Sequence, residues 1–261
     1  MQSAASARIG TLVFALFVCA HGSLRSQVVS SAEHSKNAVS PVPFVGCASD
    51  GQGGPLKAPV SQGKTVAIPT ESAQRLAYYK AKEGPGVLAP RGWHCFRSYG
   101  SNGEALYVSP DPIRAADLLS PTWKGFAGPA IQISVEEGDT SGRFAVARTI
   151  ARVFPAHKDF VENVIAEEIE PASSFPYGAY SGDTLTYQTN ELVEFETAGG
   201  KEGLGTASRL QKNDNAISGV AILFGEEPNL LQLSVRLPVE TTDLSHVIIQ
   251  QTELEANHLH P

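Results

Sequence analysis

Residues 92–109 read GWHCFRSYGSNGEALYVS. Two β-like runs, 92–99 and 104–109, flank Gly100-Ser101-Asn102-Gly103, residues that tolerate the positive φ a tight turn demands. The stretch predicts an antiparallel hairpin, and its neighbours predict the sheet around it. Downstream, Ala130-Ile131-Gln132-Ile133-Ser134-Val135 alternates as a half-buried strand does. Thr140 or Ser141 then stands where a cap belongs, before Phe144, Ala147, Ile150, Ala151 and Phe154 at helical spacing. Pro155 interrupts this helix. A second helix is expected over 158–169, burying Phe160, Val161, Val164, Ile165 and Ile169. Arg148 and Arg152 on the first, against Asp159, Glu162 and Glu167 on the second, predict a helical hairpin with complementary solvated faces.

Four strand-like runs follow, at 184–189, 192–197, 216–224 and 230–237, the last two joined by Glu226-Glu227-Pro228-Asn229. In the last, Leu231, Leu233, Val235 and Leu237 alternate with Gln232, Ser234 and Arg236, so one face should be buried and the other wet. Asp243 is placed to cap a closing helix through Gln251. Upstream, Thr70 and Glu71 open a predicted helix over 70–82, with Ala73, Leu76 and Ala77 at its spacing and Gly84-Pro85-Gly86 ending it. Val66-Ala67-Ile68-Pro69 reads as a short strand, 46–63 as Gly/Pro-rich loop and 23–43 as a flexible tether. Strands and helices come in groups rather than in βαβ order. The expected class is α+β: a mostly antiparallel sheet with helices packed on it, one domain over 44–255 and a frayed tail at 256–261.

The N-terminus carries TLVFALFVCA at 11–20, preceded by Arg8 and no acid. That run is far short of the roughly 20 apolar residues that span a bilayer. It matches the apolar part of a secretory signal, and Ala20-His21-Gly22 suggests cleavage after Gly22, giving a signal peptide at 1–22. Cys19 offers a lipoprotein site as the alternative, against which bulky Phe17 and Val18 argue. The chain has 20 basic and 27 acidic residues and a net charge of −7; losing Arg8 leaves 19 against 27, or −8. Such an acidic protein disfavours nucleic acid and anionic lipid as partners. With no other long apolar run, no stable membrane insertion is expected after cleavage. The location is read as extracytoplasmic, periplasmic or secreted.

Loss of Cys19 leaves Cys47 and Cys95, which in an oxidising compartment form a disulfide. Closing that loop stabilises by about 4 kcal/mol in the chain-entropy model. A nucleophilic Cys95 assisted by His94 is the alternative, but adjacent residues of a strand point to opposite faces.

A nucleophile elbow G-x-S-x-G, H-E-x-x-H and the phosphate loop G-x-x-x-x-G-K-[ST] are absent from the sequence. Gly203-Leu204-Gly205 lacks the third glycine of a dinucleotide loop, with Ser208 in its place. Thr140, Ser141 and Gly142 at a helix start, beside Arg143, invite an anion; Glu136, Glu137 and Asp139 in the same turn repel it. These acids lack the spacing of an EF-hand loop. His258 and His260 sit in the tail, and the other histidines scatter, so no metal or cofactor is assigned. A carboxylate pair for hydrolysis leaves no local spacing. The aromatics Tyr78, Tyr79, Trp93, Phe96, Tyr99 and Tyr107 cluster. They read as core, or else Trp93, Tyr99 and Tyr107 form a platform on which sugar rings stack.

The block at 76–110, with YYKAKEGPGVLAPRGWHCFRSYGSNG at its heart, resembles secreted bacterial proteins of uncharacterised function, as does GRFAVARTIARVFP at 142–155. The resemblance implies bacterial export and a disulfide at Cys95. It implies no activity. The functional expectation is an exported soluble protein, a non-catalytic envelope or binding module whose partner is a glycan or envelope component. The alternative is an extracytoplasmic hydrolase acting on such material with dispersed carboxylates.

Overall fold

The computed structural model describes residues 39–118 and 120–257. The expected signal peptide with Cys19, most of the expected tether, and His258 and His260 lie outside the described residues. Four short strands come first: β1 (Val39–Val42), β2 (Phe44–Gly46), β3 (Ala48–Gly51) and β4 (Lys64–Ala67). Helix α1 (Thr70–Arg75) leads into β5 (Leu76–Lys80), β6 (Gly86–Pro90), β7 (His94–Gly100) and β8 (Gly103–Ser109). After the single turn α2 (Ala115–Leu118) come β9 (Ala130–Glu136), α3 (Arg143–Val153) and α4 (Lys158–Ala166). The chain closes with β10 (Asp183–Tyr187), β11 (Leu192–Thr197), α5 (Leu204–Ala207), β12 (Ile217–Phe224), β13 (Asn229–Arg236) and α6 (Ser245–Ala256).

The class is α+β. An eight-stranded sheet has the order β10-β11-β12-β13-β9-β8-β7-β3, a three-stranded sheet β2-β5-β6, and β1 pairs with β4. The two larger sheets are mixed rather than antiparallel throughout, because β3 runs parallel to β7 and β2 parallel to β5. Strand β3 and Gly46 of β2 come from the stretch 46–63, whose Gly and Pro content predicts loop. Short edge strands need only main-chain partners, and small residues do not prevent that. The expected tether likewise ends before Pro43, since Val39–Val42 is already paired.

The predicted hairpin forms, with Gly100 opposite Gly103 and Ser101-Asn102 as its turn. Gly103 takes φ +141°, and a Cβ there would lie 2.0 Å from the Val135 carbonyl oxygen of β9. Only glycine fits. The predicted helix over 70–82 stops at Arg75. Leu76, Ala77, Tyr78 and Tyr79 are all buried in β5, between β2 and β6. Burial on both faces and two tyrosines favour a central strand over the helical spacing.

One face of the large sheet, with Leu106, Ile133, Leu231 and Leu233, meets α6 and the three-stranded sheet in a shared core. On the other face, Val193, Phe195, Ala221 and Leu223 pack with α3 and α4 through Val146, Ile150, Val161 and Val164. Charges do join α3 to the α4 side, but not as expected: Arg143 pairs with Glu167 at 2.6 Å and Arg148 with Glu170 at 2.9 Å, both just beyond α4, while Arg152 donates to the Gly178 carbonyl and Glu162 pairs with Lys158. Ile169, predicted buried, lies beyond the end of α4 and is 63% exposed.

The faces of β9 and β13 predicted to be wet are covered. Gln132, Ser134, Ser234 and Arg236 are all buried, and the segments at 120–129 and 207–211 fold back against Gln132 and Arg236. Arg236 bonds their carbonyls, donating from Nε to Gly128 at 3.0 Å and from Nη2 to Phe126 at 2.7 Å. Asp243 does not cap α6, which begins two residues later; it pairs with Arg75. Cys47, between β2 and β3, is bonded to Cys95 of β7 with a Cα–Cα separation of 5.3 Å. Among the described residues no helix is long and apolar enough to cross a membrane.

Candidate functional site

The face of β7, β8 and β9 turned away from α6 is the floor of a groove of about 450 Å³. Register assembles it. Ser98 lies opposite Ala105, Tyr107 opposite Gln132, and Gly103 opposite Glu136, so alternation brings Ser98, Tyr107, Gln132 and Glu136 to one face. Gly103 and Ala105 carry little or no side chain, which opens the space between Glu136 and Tyr107. Leu118 and Trp123 form one wall, and Ser208 and Arg209 form the other.

The walls are tied to the floor. Gln132 Oε1 accepts from the Arg209 amide at 2.7 Å. The Phe126 amide donates to the Arg209 carbonyl at 2.7 Å, and the Gln211 amide to the Phe126 carbonyl at 2.9 Å. Tyr107, Trp123 and Phe126 form an aromatic cluster, with Trp123 edge-on to both rings at 6.0 and 5.2 Å between centroids. The Arg209 guanidinium lies 5.7 Å from the Trp123 ring centroid, close enough for a cation–π attraction. It also faces the Tyr107 hydroxyl. Burial raises the pKa of that hydroxyl, with Ser98 and Arg209 acting against the rise. Among the described residues Arg209 has no carboxylate partner and Gln132 Nε2 donates no hydrogen bond. Arg209 is thus engaged with Tyr107 and Trp123, and Gln132 Nε2 is left as the uncommitted donor of the pair.

Glu136 is the groove's acid. Burial, reinforced by Glu137 and opposed by Arg148, pushes its carboxyl up to about 7. Its nearest polar contact is Asn102 Nδ2 at 3.4 Å. Glu104 lines the groove through its backbone, while its carboxylate turns to the other face to pair with Arg97 and lie against Gly84. Glu136 therefore faces no second carboxylate in the groove among the described residues. Nor is the start of α3 an anion cradle. Arg143 is committed to Glu167, donating from Nε at 2.9 Å and from Nη2 at 2.6 Å.

Of the three aromatics singled out in the sequence, the groove receives the side chain of Tyr107, which is buried with 6% of its surface exposed. Tyr99 borders the groove, but its ring belongs to the opposite face. There it lies 4.7 Å from the Arg97 guanidinium, and its hydroxyl donates to the Gly54 carbonyl. Trp93 is half-buried against the core shared with α6. The structure thus does not bring the three together. Trp123, Gln132 and Arg209 carry the site without any local motif. Gln132 bore one signal, a polar residue in an otherwise apolar strand. No family model, no curated protein and no solved structure matches this chain.

Proposed function

We propose that the protein is a non-catalytic, extracytoplasmic binding module whose groove takes a polyhydroxylated ligand, a glycan. One observation carries this reading: Gln132 offers an uncommitted amide donor beside the hydroxyls of Ser98 and Tyr107 on the sheet floor, with the Arg209 guanidinium, free of any carboxylate among the described residues, in the wall above. A sugar presents hydroxyls in many directions, and planar donors with fixed geometry suit it. The sheet floor holds Ser98, Tyr107 and Gln132 in place better than a loop would. The Cys47–Cys95 bond and the expected signal peptide agree with export. The hydrolase alternative draws on Glu136, whose raised pKa suits a proton donor. Hydrolysis of a glycosidic bond ordinarily needs a second carboxylate across from it.

The test is a glycan array followed by calorimetric titration of the glycans retained. Arg209 is exposed, so Arg209→Ala should leave the melting temperature nearly unchanged. It should weaken glycan binding about tenfold, as expected for a lost charged hydrogen bond. An array without binding, or equal affinity in the variant, overturns the reading. Release of reducing ends from a bound glycan would establish the hydrolase instead.

A further inference from the structure

A second cavity, of about 370 Å³, opens on the opposite face of the large sheet, in the seam between α6 and the three-stranded sheet. Its floor is apolar: Ile133, Val135, Phe224 and Leu231 from three adjacent strands, with Ala256 at the end of α6. Val135 and Phe224 are only partly buried, so this apolar surface is open to an occupant.

The rim is charged, and its charges are not all paired. Glu255 is taken by Lys64 at 2.6 Å, by the Tyr78 hydroxyl at 2.7 Å and by Gln251 at 2.8 Å. Glu104 is taken by Arg97, which also lies 4.0 Å from exposed Glu83. Lys80, between these two ion pairs, has no carboxylate partner among the described residues; its ammonium donates to the Gly84 carbonyl. The cavity lining thus includes one cation with no carboxylate within salt-bridge distance, while the charges of Glu255 and Glu104 act on it from farther off. Burial first, then Lys64 and Arg97, lower the pKa of Lys80 against the opposing charges of Glu255 and Glu104. A mostly apolar pocket with one fixed polar anchor is the usual form of a small-molecule site.

We infer that this cavity binds an apolar monocarboxylate of the size of a medium-chain fatty acid, its chain on Ile133, Val135 and Leu231 and its carboxylate on Lys80. The anion gives the ammonium a direct ion pair, and the chain covers the partly exposed apolar floor. A neutral alcohol of equal length satisfies only the second need, and an amine is repelled.

Calorimetric titration of the full chain tests this, with decanoate, decanol and decylamine as probes. Decanoate should bind saturably, with decanol about tenfold weaker and decylamine not bound. Lys80→Met keeps the stem and removes the charge; decanoate should weaken about tenfold or more while decanol is unchanged. A second measurement needs no variant. Reductive methylation of the unaltered protein, read by peptide mass spectrometry, should show Lys80 protected by decanoate. Arg209→Ala, on the other face, should leave decanoate affinity as it was. Absence of saturable decanoate binding overturns the inference. So does unprotected Lys80, or an equal loss of decanol and decanoate in Lys80→Met.

Discussion

Arg236 lies 1% exposed at the end of β13, and its hydrogen bonds go to main-chain carbonyls of Phe126, Gly128 and Gln211. Burial lowers its pKa, and among the described residues it has no carboxylate within salt-bridge distance. The planar fork suits this arrangement, since it reaches several carbonyls at once where a lysine ammonium could not. Those carbonyls belong to the two segments that build the groove walls, so Arg236 acts on the site from beneath it. Arg236→Met leaves the carbonyls without a donor and should cost about 2–4 kcal/mol. Trp123 should then loosen, and its fluorescence should move to the red. A denaturation midpoint within error of the parent would show that water replaces the guanidinium without loss. The sequence marks Arg236 only as the polar half of an alternating strand, which reads as a wet face. Its partners lie far away in the chain, so no local pattern announces them. The same holds for Arg209, while Gln132 shows only as a polar residue in an otherwise apolar strand.

Helix α6 covers the middle of the large sheet, and it carries an unusual acid. Glu253 is half-buried, and its Oε1 is enclosed without a hydrogen-bond partner. Burial, then the charge of Glu194, pushes its carboxyl up to about 7. Glu194, on β11, itself accepts from Gln188 at 2.9 Å. The folded pKa lies above the ordinary value of 4.5, so the folded state holds this proton more tightly than the unfolded chain does. The contribution to stability is therefore intact below about pH 4.5 and is lost as pH rises towards 7. Glu253→Gln removes the charge and brings an N–H that Glu194 can accept. Its melting temperature should exceed the parent's by several degrees at pH 8 and match it near pH 4.5; an equal shift at both values would exclude titration as the cause. Glu136 titrates in the same range and leaves part of the slope in the variant. At the level of elements, much was readable beforehand. The β7–β8 hairpin, α3, α4 and the strands β10 to β13 have strong turn or periodicity signals of their own. The segment from Leu76 to Lys80 misled because Ala73, Leu76 and Ala77 keep helical spacing. What makes it a strand is its place between β2 and β6, which its own sequence does not contain.

On the scale of the molecule, the chain passes from the three-stranded sheet to the eight-stranded one twice, between β6 and β7 and, with Cys47 alone as the link, between β2 and β3. The bond from Cys47 to Cys95 ties the latter crossing to β7. The bond therefore spans the two sheets whose seam holds the cavity at Lys80, and it anchors the edge next to the groove. Strand β3 is four residues long, lies at the sheet edge and pairs with β7, with a single antiparallel bridge from Ser49 to Leu56 on its other side. Strands β12 and β13, by contrast, have partners on both sides and are buried over most of their length. Breaking the bond should cost about 2–4 kcal/mol overall, most of the loop-closure contribution. The loss should not be shared evenly. An edge strand with few partners opens locally well before the sheet unfolds. Hydrogen exchange on the intact protein and on the Cys47→Ala/Cys95→Ala variant separates the two effects. Amides of Ala48–Gly51 should exchange at least about tenfold faster in the variant, under conditions where those of β12 and β13 change far less. If protection falls by the same factor in all three strands, the disulfide acts only on the unfolded chain. The crossing at Cys47 would then be held by its main-chain pairing alone.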